Sequence, residues 1–460
     1  MAAEIVYWNN LPSVLLYEIF SYLTESDRIR ASSTCKHWRN ALYHPSFWKN
    51  VSVNLNSNNL DNASKVQYLT SCLGSKLQNI TVNFDILDPF CTREMKNVLR
   101  GLIGNYNLKS VSLIPTHSCF DYSKDYSAAG VGLENLRWFL NPILSILKKS
   151  HRLEALNLGC IEDLVLCGKT ILERISNHHA SHFRRLGLAS MKSDPDLYDL
   201  FVLDHKVFYT LQNLQVLSLD FDYVNDDLLS VLSANGSLQR LVIHVHGILD
   251  THPGTSEDAW DSFTKKNPMC ELRLNLIYSY DGVNILDSIL KSSMPLTHLK
   301  VFFCRKMNPA ALQKLHEFSS TLRSLWWVDI MGNYSPFDFT DLESYPPENI
   351  LVEQQLVNPL VICAWQCRNL EELVLFGYNI FIEDVRGIVK LRELKAFELL
   401  SSHILRPDGE NLQEFEKEIS SILSIPWRAR TDDEVHPALL GEEGSCPDEF
   451  VLPIVLLDLK

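Results

Sequence analysis

The chain has 460 residues, a hydrophobic fraction of 46%, and 42 lysines and arginines against 56 acidic residues, giving a net charge of −14. That length holds two domains or a repeat array, and the mean hydropathy of −0.05 fits a water-soluble globular protein. The acidic field repels a nucleic-acid backbone and the basic clusters (Arg184–Arg185, Arg428 and Arg430) are short, so nucleic-acid binding is not expected. The N-terminus lacks a basic segment followed by an apolar run, so no signal peptide is expected. The longest apolar stretch, Phe450 to Leu457, is far shorter than the roughly 20 residues of a membrane span, so no membrane partner is expected either. Eleven cysteines, none in a CxxC pair, read as reduced thiols in a cytoplasmic or nuclear protein.

The first fifty residues predict three short helices. Leu11-Pro12 opens the first, because proline at the first helical position lacks an N–H that would be orphaned anyway. Its apolar residues form two adjoining stripes: Leu15, Ile19 and Leu23, then Leu16 and Phe20. Ser26 is the expected N-cap of a second helix over 27–33 that carries Ile29. A third runs from about Cys35 to Leu42 with Trp38 inward, stopping before Pro45. So small a unit cannot cover both stripes of its first helix, which leaves one for a partner's helices or for the rest of the chain.

Leu11-Pro12, Leu15-Leu16, Ile19-Phe20, Leu23, Asp27-Arg-Ile-Arg30, Cys35, Trp38-Arg39 and Pro45-Ser-Phe-Trp48 resemble the F-box, in order and at its spacing. Val14, where the motif often has Glu, and Thr34, where an apolar residue usually stands, depart from it at variable positions. The resemblance implies docking on the adaptor Skp1, and through it on a cullin–RING ubiquitin ligase. It points to Leu11, Pro12, Leu15, Leu16, Ile19, Phe20, Leu23, Ile29, Trp38 and Trp48 as the docking residues.

After residue 50 an apolar triad recurs at i, i+3, i+5. It runs from Trp48/Val51/Val53 and Leu77/Ile80/Val82 through Met269/Leu272/Leu274 and Leu322/Leu325/Trp327 to Leu394/Phe397/Leu399. Nine of the eleven intervals between starting positions lie between 24 and 31 residues. This is the strand pattern of a leucine-rich repeat, with helices expected over 136–149, 163–177, 226–234 and 309–318. The asparagine or cysteine that usually follows the triad is mostly missing, so the repeats are degenerate, and an irregular α/β domain is the alternative. The expected fold is therefore α/β: an F-box over 1–50, a leucine-rich-repeat-like solenoid over 51–425 and an acidic tail over 426–460. The segments Asn358 to Cys367, Asn369-Leu370, Phe376-Gly-Tyr378 and Pro426-Trp427 also resemble late segments of one member of the F-box family.

Alternation along the strands places Val242, Phe302, Trp326, Val328, Val374 and Phe376 on the concave face, where they make a candidate substrate surface. Two segments compete to cover that patch: the insertion 330–357 and the C-terminal tail. The tail reads as a loose loop ending in an apolar run that caps the last repeat or enters the concave side, with Pro453 suggesting an edge position. No constellation points to catalysis or to a cofactor. His178-His179-x-x-His182 lacks a third ligand, and His244 and His246 share a strand face without a companion. Two functions fit the two modules: a substrate adaptor of a Skp1–cullin–F-box ligase, or a repeat-based scaffold that binds Skp1 without a dedicated degradation substrate.

Overall fold

A computed structural model describes the chain except residues 1–7, 57–65, 68–69, 72–73, 121–130, 249–251, 331–357 and 408. The chain forms two compact units. The first comprises Met1–Pro115, Asp121–Leu156 and Asn177–His179; the second comprises Thr116–Phe120, Asn157–Ser176 and Ala180–Lys460. No helix among the described residues is long and apolar enough to cross a membrane.

The first unit opens with α1 (Ser13–Tyr22), α2 (Glu25–Ser32) and α3 (Lys36–Leu42). The N-cap of α2 is Thr24, whose hydroxyl accepts from the otherwise orphaned Asp27 backbone N–H, and not Ser26 as expected; the helix starts two residues earlier than the sequence suggests. Parallel strands β1 (Asn50–Leu55), β2 (Asn79–Phe84) and β3 (Ser110–Pro115) follow, paired in chain order. Between them lies α4 (Pro89–Leu102), capped by Asp88 with Pro89 in its first turn, and after them α5 (Val131–Lys149). The sequence reading missed α4 and gave α5 a later start.

In the second unit strands β5 (Arg185–Gly187), β6 (Val216–Asp220), β7 (Arg240–Val245), β8 (Glu271–Ile277), β9 (Leu296–Phe302), β10 (Ser324–Val328) and β11 (Glu372–Phe376) also run parallel in chain order, ending on β13 (Ala396–Leu399). The short β4 (Ala155–Asn157) precedes β5, and β12 (Ile380–Phe381) pairs with β14 (Ile404–Leu405) in a separate ribbon. The crossovers carry α6 (Gly168–His179), α7 (Asp226–Asn235), α8 (Glu257–Lys266), α9 (Pro309–Lys314), α10 (Pro359–Gln366) and α11 (Ile382–Leu391), followed by α12 (Leu412–Leu423). Several helices start on a small polar cap: Asn225 accepts from Leu228, Ser256 from Ala259, Asn308 from Ala311, Asn358 from Leu360 and Asn411 from Gln413. Strand, turn, capped helix and parallel return make this unit an α/β solenoid of the leucine-rich-repeat type.

The second and third members of all twelve apolar triads are buried, as the repeat pattern requires. Met269 is the exception among the first members, 80% exposed, and Cys270 takes the interior place. The β8–β9 ladder is also irregular: Leu272 pairs with Leu296, but Arg273 pairs with His298, so Thr297 is an extra residue opposite β8.

Candidate functional site

Helix α1 turns two faces to different surroundings. Leu16 and Phe20 are fully buried, with Phe20 edge-on to Trp38 at 5.7 Å, and Trp48 is buried with its indole N–H donating to the Leu42 carbonyl. These three leave the set of partner contacts: they are the interior of the three helices. Trp38, half-buried, donates its indole N–H to the Trp8 carbonyl, and His37 holds the Leu11 carbonyl at 2.6 Å. Leu11, Ile19 and Leu23 are half-buried and Pro12 is exposed. Facing outward are Leu15 (46% exposed), Ile29 (42%) and Tyr22 (81%), together with Val14 and Trp8. Five large apolar residues are thus exposed within 22 positions of one small helical unit, an excess of apolar surface of the kind that marks interaction sites.

In the second unit the pairing register places the predicted face correctly. Val242 stands opposite Arg273, Trp326 opposite Lys300 and Val374, and Val328 opposite Phe302 and Phe376. These side chains are nevertheless interior: Val242, Phe302, Val328, Val374 and Phe376 are all buried, and Trp326 alone keeps partial exposure. The C-terminal tail lies on this face, as one of the two competing coverings; residues 331–357 lie outside the described residues. The tail's apolar run is not an edge strand but helix α13 (Pro447–Leu457), with Pro447 in its first turn and Pro453 inside. A proline costs a helix a hydrogen bond and a clash with the preceding turn, roughly 3 kcal/mol. Burying Val451, Leu452, Val455 and Leu456, each worth about 1.5–3 kcal/mol, outweighs that cost.

Polar contacts fix both ends of α13. At its start Asp448 accepts from the Ser118 backbone N–H and the Tyr278 hydroxyl, both at 2.8 Å. Just past its end the Asp458 carboxylate, 1% exposed, is held by Arg273 at 2.7 Å, Lys300 at 3.1 Å and Asn275 at 3.1 Å, while its carbonyl accepts from Arg240. Burial would raise the Asp458 pKa, but Lys300 and Arg273 hold it below the usual carboxylate range. Phe450 packs against Phe302 and Phe303.

A second buried polar group was only half visible in sequence. Asp220, His244 and His246 lie within metal-ligand reach of one another, and Asp220 is the companion that His244 and His246 lacked. It pairs directly with His244 across β6 and β7, so aligning the triads one position further would have found it. Ser190 organises the group: its N–H and hydroxyl donate to the two Asp220 oxygens at 2.7 and 2.6 Å, and its carbonyl accepts from His244 Nδ1 and His246 Nε2. Lys192 stands 3.4 Å from Asp220. One nitrogen of each imidazole is committed to the Ser190 carbonyl, and the Lys192 ammonium balances the buried carboxylate. Burial pushes His246 down to about 4, which keeps the ring neutral near pH 7. His179 is likewise committed, its Nε2 2.6 Å from the Leu147 carbonyl.

Residues 8–54, which span the three helices and the exposed patch, match the F-box-like family model. The N-terminal segment is an F-box-like domain. Beyond that domain, the similarity runs along most of the chain. F-box only protein 33 of Homo sapiens is 24% identical over 488 residues, covering 92% of this chain and 83% of the relative, and its Mus musculus counterpart matches at the same identity and coverage. F-box/LRR-repeat protein 21 of Bos taurus is 24% identical, covering 93% and 90%. The first of these is the family member whose late segments the chain resembles in wording. One of those segments has a physical reason. Gly377 has a φ of +86°, a conformation that side chains disfavour, and a Cβ there would lie 2.6 Å from the Asp329 carbonyl oxygen. The turn delivers the Tyr378 hydroxyl to the Asp329 carboxylate at 2.9 Å.

Proposed function

We propose that this chain is the substrate-recognition subunit of a Skp1–cullin–F-box ubiquitin ligase, working in the cytoplasm or nucleus. The outward patch of the F-box-like domain carries this reading. Leu15, Tyr22 and Ile29 give a partner's helices an apolar face that the described residues leave uncovered, while Leu16 and Phe20 hold the helices together beneath it. Skp1 is the partner that this domain type implies. The chain then supplies binding surface, and the ubiquitin chemistry belongs to the other subunits. The repeats hold the protein substrate.

One observation favours a second reading. Because α13 already occupies the face first taken for substrate, the repeats could serve as a Skp1-bound scaffold with no degradation substrate. Affinity purification with quantitation of bound cullin, with and without proteasome inhibition, separates the two. The adaptor reading expects stoichiometric Skp1 and cullin, plus a set of proteins that accumulates when the proteasome is blocked. Cullin present with an unchanged partner set under inhibition would favour the scaffold.

A further inference from the structure

The tail that covers most of the predicted face also builds something on it. Between β10, β11 and β13 on one side and residues 430–454 on the other lies an open pocket of about 420 Å³. Trp326, Phe376 and Phe450 supply its aromatic walls. Three carboxylates line it: Glu372, Glu398 and Glu434. Glu398 is neutralised by Arg430, with contacts of 2.6 and 2.9 Å, and Glu434 pairs with Arg428. Glu372 accepts from the Ser324 hydroxyl and has no ion-pair partner among the described residues. The Trp326 indole N–H is buried without an acceptor.

We propose that this pocket binds an arginine side chain of a protein partner. The inference deepens the substrate-adaptor reading and rests on it, because it assigns the repeats a recognition site that the tail completes instead of blocks. A guanidinium suits the aromatic walls and the unpaired carboxylate together. Its plane stacks on indole and phenyl faces, and its fork of N–H donors and its charge fit Glu372, the one lining carboxylate that lacks a cation among the described residues. An acidic residue would face uncompensated repulsion from Glu372, and an aliphatic one would leave that carboxylate desolvated.

The test uses the full chain purified with Skp1 and three fluorescent nine-residue peptide pools, degenerate except for a central Arg, Ala or Glu, read by anisotropy. The Arg pool should bind about ten-fold tighter than the Ala pool, with the Glu pool weakest. Glu372→Gln keeps an acceptor for Ser324, and should bring the Arg pool down to the Ala level without moving the melting temperature. Equal binding of the Arg and Ala pools by the unmodified chain would overturn the proposal, as would an undiminished Arg preference in folded Glu372→Gln. Skp1 retention, measured on the same samples, reports on the adaptor reading separately: its loss would count against that reading, whatever the peptides do.

Discussion

Asp458→Ala is expected to destabilise the second unit by about 3–5 kcal/mol, the usual cost of removing one partner from a buried charge cluster. Arg273 and Lys300 keep side-chain exposures of only 15% and 7%, so neither cation can recover by turning to water. Asn275 loses the acceptor for its amide as well. The neighbouring Leu457 is a control, because its half-exposed side chain predicts an effect of about 0.5 kcal/mol or less for Leu457→Ala. Urea unfolding followed by tryptophan fluorescence measures both. The same pair sets a pH dependence. Since the Asp458 pKa is lowered in the folded chain, its contribution is fully present above the unfolded carboxylate value of about 3.9 and is lost as pH falls through the folded value. An Asp458→Ala variant within about 1 kcal/mol of the natural chain would mean that the tail does not dock as described.

A chain beginning at Val51 is expected to lose cooperative folding of the first unit and to aggregate. Removing residues 1–50 takes away Trp48, Leu42 and Ala41, all buried in the folded chain. It also takes the Lys49 carbonyl that accepts from the backbone N–H groups of Gln78 and Asn79, and the Tyr43 carbonyl that accepts from Lys76. An edge strand stripped of its neighbours is a template for association. Size-exclusion chromatography and thermal unfolding report the outcome. A monodisperse 51–460 chain with a single sharp transition would show that the helices fold apart from the strands that follow them.

The repeat strands were readable because their signal is redundant: twelve apolar triads each pin one strand, and a wrong assignment at one is corrected by its neighbours. Helices such as α4, α8, α11 and α12 were harder, having no repeated wording, although their Asp88, Ser256 and Asn411 caps were there to be read. The register sets the residues of the expected substrate face side by side, and all of them but Trp326 are buried. Alternation says which side of a sheet a residue faces, and nothing about what lies on that side. What covers it is α13, a helix whose sequence is apolar on its exposed side too, at Pro453 and Leu457, so that hydrophobicity does not reveal the buried stripe of Val451, Leu452, Val455 and Leu456. The same limit applies to α1: periodicity gave two stripes, and the packing of Trp38 and Phe47 on Phe20 shows which one faces inward, with Leu16 and Phe20 buried and Leu15 exposed.

The account stands or falls on whether that outward face is a docking surface for Skp1. Titrating purified Skp1 into the full chain, as the natural sequence and as Leu15→Asp with Ile29→Asp, measures it directly. Both side chains are more than two-fifths exposed, so the double variant should keep its melting temperature. Burying each at an interface is worth about 1.5–3 kcal/mol, so affinity should fall by about a hundred-fold or more. A folded double variant that binds Skp1 as tightly as the natural chain would contradict the account.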